Sequence, residues 1–112
     1  MSAGKLSDRV SFGVRGGVPD GYGNTRPGPF VPAITVSAHI RYLKGSETVI
    51  ASRLAGRQPV VIRVRRTAQT RDIKTDWRAT DTRTGQVYNV RAIVPSADRA
   101  FLDITAESGG PD

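Results

Sequence analysis

Residues 60–66 read Val60-Val61-Ile62-Arg63-Val64-Arg65-Arg66, and the parity of this stretch decides the fold class. Val60, Ile62 and Val64 share one side of an extended chain, while Val61, Arg63 and Arg65 share the other. Side chains alternate across a strand with a period of two, so the segment reads as a strand with an apolar inner face and a cationic outer one. The same rhythm recurs outward in both directions. In residues 9–15, Val10, Phe12 and Val14 alternate with Arg9, Ser11, Gly13 and Arg15. In residues 35–43, Val36, Ala38, Ile40 and Tyr42 oppose Ser37, His39 and Arg41. Residues 87–94 put Tyr88, Val90, Ala92 and Val94 together, and residues 100–106 do the same with Leu102 and Ile104. A weaker strand over 77–82 runs into Thr82-Arg83-Thr84-Gly85-Gln86, a hairpin signal with its glycine near the end.

One helix interrupts the strands. Ser46 is placed to cap it, Glu47 suits its first turn and Gly56 its end. Ile50 and Leu54, four residues apart, form one narrow apolar stripe. A helix of about ten residues is marginal alone, so this stripe is expected to dock on the sheet. The expectation is a mainly β fold: a small antiparallel barrel or sandwich of five to six strands with one short helix. Closure would remove exposed strand edges.

With 112 residues the chain makes one domain, expected over 1–107 with residues 108–112 as a frayed tail. Its compact radius of gyration would be about 13 Å. Glycine and proline together number 19, so loops should take a large share. Residues 16–32, GGVPDGYGNTRPGPFVP, concentrate five glycines and four prolines and read as a long structureless excursion.

There is no cysteine, which removes disulfides, thiolate catalysis and Cys-based metal sites. No segment approaches the ~20 apolar residues of a membrane span, and the N-terminus has no signal-like apolar run. A protein made in the cytoplasm, with no membrane partner, is expected. His39, the single histidine, lies on a polar strand face without an acidic pair. Asp72, Asp76 and Asp81 alternate with Arg71, Lys74, Arg78 and Arg83 and read as a solvated, self-neutralising face. Neither phosphate-loop spacing nor a nucleophile–base pattern is present. No catalytic residue, metal site or cofactor is expected.

The net charge is +7, and the excess is spread over both halves of the chain. Such a surface favours a polyanion or an acidic partner. The row Arg57, Arg63, Arg65 and Arg66 is its densest part. Arg63 and Arg65 are about 6.6 Å apart on one strand face. They suit either a neighbouring subunit's carboxylates or phosphates met without base readout. No recognition helix is apparent, and the few aromatics make a base-stacking platform of the OB or cold-shock kind a weaker alternative.

The order of parts resembles the phage head–tail joining (head-closure, stopper) family over almost the whole chain. The matching features are Leu6-x-x-Arg9-Val10, the loop element Asp20-Gly21-Tyr22-Gly23-Asn24, and Val36-x-Ala38-x-Ile40. They continue with Glu47 and Ala51-x-Arg53 in the helix, Val61-Ile62-Arg63-Val64-Arg65, Gly85-x-x-Tyr88-x-Val90 and Phe101-Leu102-Asp103-Ile104. Where the family often has a tryptophan after the Tyr-Gly element, this chain has Phe30. The resemblance implies a virion neck protein: a homo-oligomeric ring of six or twelve copies between the portal-adaptor protein and the tail terminator or tail tube. Such a ring retains packaged double-stranded DNA non-specifically. A tail terminator or minor tail protein is a second alternative, after the nucleic-acid-binding barrel. On this reading Asp20, Tyr22, Gly23, Asn24, Arg26 and Phe30 form a partner, ring-interface or lumen loop. Arg57, Arg63, Arg65 and Arg66 form a basic interface or DNA-proximal row.

Overall fold

The computed structural model describes residues 6–19 and 21–109. Six strands close into an antiparallel barrel in the order β1-β2-β3-β6-β5-β4. They are β1 Asp8–Pro19, β2 Thr25–Tyr42, β3 Gln58–Arg65, β4 Arg78–Asp81, β5 Val87–Pro95 and β6 Phe101–Ser108. One helix, α1 Glu47–Leu54, joins β2 to β3, and a single 3-10 turn at Thr70–Asp72 lies between β3 and β4. The barrel is sealed where Val10–Gly13 of β1 pair with Asp81–Arg78 of β4.

The parity of the strands becomes the inside and outside of the barrel. Val60, Ile62 and Val64 are wholly buried, as are Val10, Phe12, Ala38, Ile104 and Ala106. Tyr88, Val90, Leu102, Ala79 and Ile40 complete the wall of the core, and Ile73, from the segment after β3, packs into the same cluster. Each fully buried large apolar side chain contributes about 1.5–3 kcal/mol relative to exposure.

Strand β5 departs from simple alternation. Its register against β6 shifts between Val90 and Ala92, as a β-bulge does. Beyond the shift Ile93 packs against the core, while Val94 is exposed. The expected Tyr88-Val90-Ala92-Val94 face therefore holds only for its first half.

Residues 16–32 are not a structureless excursion. Except for the turn at 21–24, their described backbone is strand: β1 and β2 continue past the barrel as a two-stranded arm, with Gly17 paired to Pro27, Val18 to Arg26 and Pro19 to Thr25. Proline is excluded from the middle of a sheet because it cannot donate to the ladder. The arm has no third strand, since β4 leaves β1 at Gly13 and β3 pairs β2 only from Ala38 onward. Its outer edges are open, so the prolines deprive no third strand of a bond. The arm lengthens the molecule to 50 Å and raises its radius of gyration to 15.0 Å, above the compact expectation.

The helix forms as its caps require but does not dock. Ser46 Oγ accepts the Val49 amide at 3.1 Å, and Gly56 supplies the left-handed residue beyond the end (φ 83°). No α1 residue is buried, and Leu54 is 85% exposed, with Ile50 also exposed. The apolar stripe expected to pack on the sheet faces solvent.

Two further expectations change. Ser108 is in β6, paired with Gln58, and a Cβ on Gly109 would run into the Gly56 carbonyl, so the chain is fastened through residue 109. Residues 110–112 lie outside the described part. Asp81 is buried rather than solvated: its Oδ1 accepts the Arg83 amide at 3.0 Å and shapes the β4–β5 turn.

Candidate interaction surfaces

The arm ends in a turn that presents one large side chain. Gly21 and Gly23 both adopt left-handed backbone (φ 87° and 86°), a region that costs other residues roughly 1 kcal/mol or more. Between them Tyr22 is 89% exposed, and Asn24 is exposed beside it. Asp20 lies outside the described residues. Arg26 is placed in the arm by its pairing with Val18. Phe30 is not at the tip. It lies at the arm's root, where the Arg78 guanidinium of β4 sits 4.0 Å from its ring centre. Gly13 permits the close crossing there, since a Cβ would meet the Val31 carbonyl oxygen at 3.0 Å.

The basic row divides. Arg63 donates from Nε and Nη2 to the two oxygens of Asp103 across the β3–β6 pair, at 2.7 and 2.9 Å. That pair holds the Asp103 carboxyl below the usual carboxylate range and the Arg63 guanidinium above its own. Phe101, on the same face of β6, lies under both Arg63 and Arg65, whose guanidinium carbons are 5.3 and 5.8 Å from its ring centre. Arg57 is elsewhere: with Arg91 it meets Glu107, at 3.4 and 3.3 Å. Arg66 is exposed just past β3, its amide bonded to the Ala100 carbonyl.

Sequence reasoning missed Phe101, Asp103 and Glu107 as partners of the row. Their shared parity on β6 was visible, but not the fact that β6 lies beside β3. It also missed Thr70, which is buried and holds the turn after the row. Thr70 Oγ1 donates to the Arg65 carbonyl at 2.7 Å and accepts the Thr67 amide at 2.8 Å.

His39 and Arg41 of β2 join Val61, Arg63 and Asp103 around a shallow groove of about 210 Å³ on the outer sheet. A wider cleft at the barrel mouth, about 540 Å³, is lined by Tyr42, Gln58, Gln86, Tyr88 and Ser108 among others. Burial first, and then a hydrogen bond with Tyr42, push the Tyr88 hydroxyl well above its ordinary pKa. Among the described residues no three His, Asp or Glu side chains gather as a metal site.

Comparison with known proteins follows the same outline. Residues 1–109 match the family described as phage head completion protein. None of the curated proteins matches the chain. A protein of Shigella flexneri 2a, known from its solution structure, superposes with a TM-score of 0.72 at 24% identity, over 100% of both chains. A chain from the virion of a native gene transfer agent particle superposes with a TM-score of 0.63 at 16% identity, over 89% of this chain and 91% of that one. At these identities the two structures show a shared fold.

Proposed function

The chain belongs to the phage head completion protein family, and from that premise we propose that it closes the DNA-filled head as a ring between the portal-adaptor protein and the tail terminator or tail tube. The protein is a structural component of the virion, in the head–tail neck. The ring position, its six or twelve copies and its hold on double-stranded DNA are the proposal.

The observation that carries it is the division of labour in the fold. A closed barrel with a filled core makes a rigid wall unit, and closure leaves free edges only where β1 and β2 run on into the arm. The arm places exposed Tyr22 far from that wall, where it can reach a neighbour. Tyrosine is a favoured anchor at interfaces because it buries much area at low entropic cost. Repetition around a ring multiplies such contacts without requiring any one to be strong. Asp20, Gly23, Asn24 and Arg26 take the role of shaping or flanking that contact. Phe30, packed by Arg78, fixes the arm's root instead of touching the partner. A stand-alone OB-type nucleic-acid barrel or a tail terminator explains the barrel equally well but not the family match.

The test is complementation. Heads from cells lacking this protein, mixed with the purified chain, should gain nuclease protection of their DNA and the ability to accept purified tails. Heads that stay leaky with the chain demonstrably bound would overturn closure.

A further inference from the structure

We propose that the outer face of β2, β3 and β6 binds the phosphate backbone of duplex DNA, with Arg41 and Arg65 as its two principal contacts. The proposal deepens the neck reading and rests on it for the presence of DNA.

The face is built from strand register. His39 pairs with Arg63, Arg63 with Asp103, and Arg41 with Val61, so these side chains stand in adjacent rows on one side of the sheet. Arg41 and Arg65 are four residues of strand apart in this frame, about 13 Å along the strand direction. Three carboxylates belong to the face, the first being Glu107, on the same side of β6 and met by Arg57 and Arg91. Asp103 is spanned by Arg63. Asp98, in the β5–β6 turn, accepts the Ser96 hydroxyl at 2.6 Å and the Ala100 amide at 3.0 Å. Arg63 is thus committed within the chain, and the Phe101 ring lies beneath both its guanidinium and that of Arg65. Arg41 and Arg65 are exposed, and His39 lies between them.

Three observations choose the occupant. First, 17 cationic against 10 anionic side chains leave every copy strongly positive, so a second copy laid on this face would not neutralise it. Second, the face offers no apolar anchor at its centre: Phe101 is covered by two guanidinium groups, and the groove's one aliphatic side chain is Val61. Protein interfaces gather their energy at such anchors, whereas phosphate contacts need only placed cations. Third, charges on a rigid sheet, without a helix to enter a groove, suit contact that reads no sequence.

The experiment measures binding of the full chain to a random-sequence duplex of about three helical turns across a salt series. Each phosphate that is no longer neutralised should make the log–log salt slope shallower by about 0.9. The double variant Arg41→Ala, Arg65→Ala should therefore flatten the slope by about two and weaken binding at least tenfold. Arg53→Ala, Lys74→Ala removes the same charge from α1 and from the connection between β3 and β4, and should leave the slope unchanged. Equal slopes for the two double variants would overturn the proposal. So would displacement of the duplex by poly-glutamate as readily as by unlabelled duplex, which would assign the face to an acidic protein. Neither result touches the neck reading, which the head-closure assays decide separately.

Discussion

Arg63 and Asp103, 40 residues apart in sequence, face each other across the β3–β6 pair in a two-point ion pair of 2.7 and 2.9 Å. Both side chains are about three-quarters shielded from solvent. The pair sets the outer face of the barrel in order: it neutralises the carboxylate that stands among the arginines and leaves Arg65 to project.

Asp103→Asn should lower stability by about 1 kcal/mol at neutral pH, the upper range for a partly exposed pair. The Asp103 carboxyl titrates below its ordinary value in the folded protein. Its contribution is therefore present above the unfolded value, about 3.9, and is lost as pH falls through the lower folded value. Urea unfolding at pH 7 and at pH 2.5 should show the difference between wild type and variant shrinking at the acid end. A constant difference would remove the ion pair as its cause.

Thr70→Val keeps the shape of a buried side chain but strips its hydroxyl. The Arg65 carbonyl and the Thr67 amide are both left without that partner. Each hydrogen bond of this kind contributes about 0.5–1.5 kcal/mol, and a fall of about 2 kcal/mol in unfolding free energy is expected by chemical denaturation.

Tyr22→Ala should separate folding from assembly. Its side chain is almost wholly exposed on the arm, so stability should stay within the range of ordinary surface changes, about ±0.5 kcal/mol. Head closure in the complementation assay should drop at least tenfold. Full closure by a folded Tyr22→Ala protein would take Tyr22 out of the interface.

Leu54→Glu is expected to leave the fold intact, because α1 buries no residue. Thermal unfolding of this variant should match wild type within about 0.5 kcal/mol. A loss of about 2 kcal/mol or more would mean that the helix packs on the barrel after all.

Gly109→Ala tests the fastening of the C-terminal strand. Gly109 adopts φ 83°, and an added Cβ would collide with the Gly56 carbonyl. Both effects act against alanine, so destabilisation of at least about 1 kcal/mol is expected from the backbone conformation alone. A variant as stable as wild type would show that the close approach is not maintained.

These residues also show what the chain discloses of itself and what it withholds. Alternation in residues 9–15, 35–43 and 60–66 exposed the inner and outer faces because a half-buried strand has no other way to sort its side chains. Ser46, Glu47 and Gly56 announced the helix because each answers a local need of a helix end. The arm was hidden for the converse reason. A two-stranded ribbon is held by backbone pairing, and open edges tolerate Pro27, Pro29 and Pro32, so its composition mimics a loop. The solvent-facing Ile50 and Leu54 follow no local rule, since their pattern is that of a docked helix. The Arg63–Asp103 pair depends on β6 lying between β3 and β5. That strand order is a long-range property, and periodicity is silent about it.

The most direct test of the account is removal of the gene from the producing cell, followed by electron microscopy and a nuclease-protection assay on the particles. Filled heads that leak their DNA, beside free tails, are the predicted result. Normal tailed particles with protected DNA would contradict head closure by this protein.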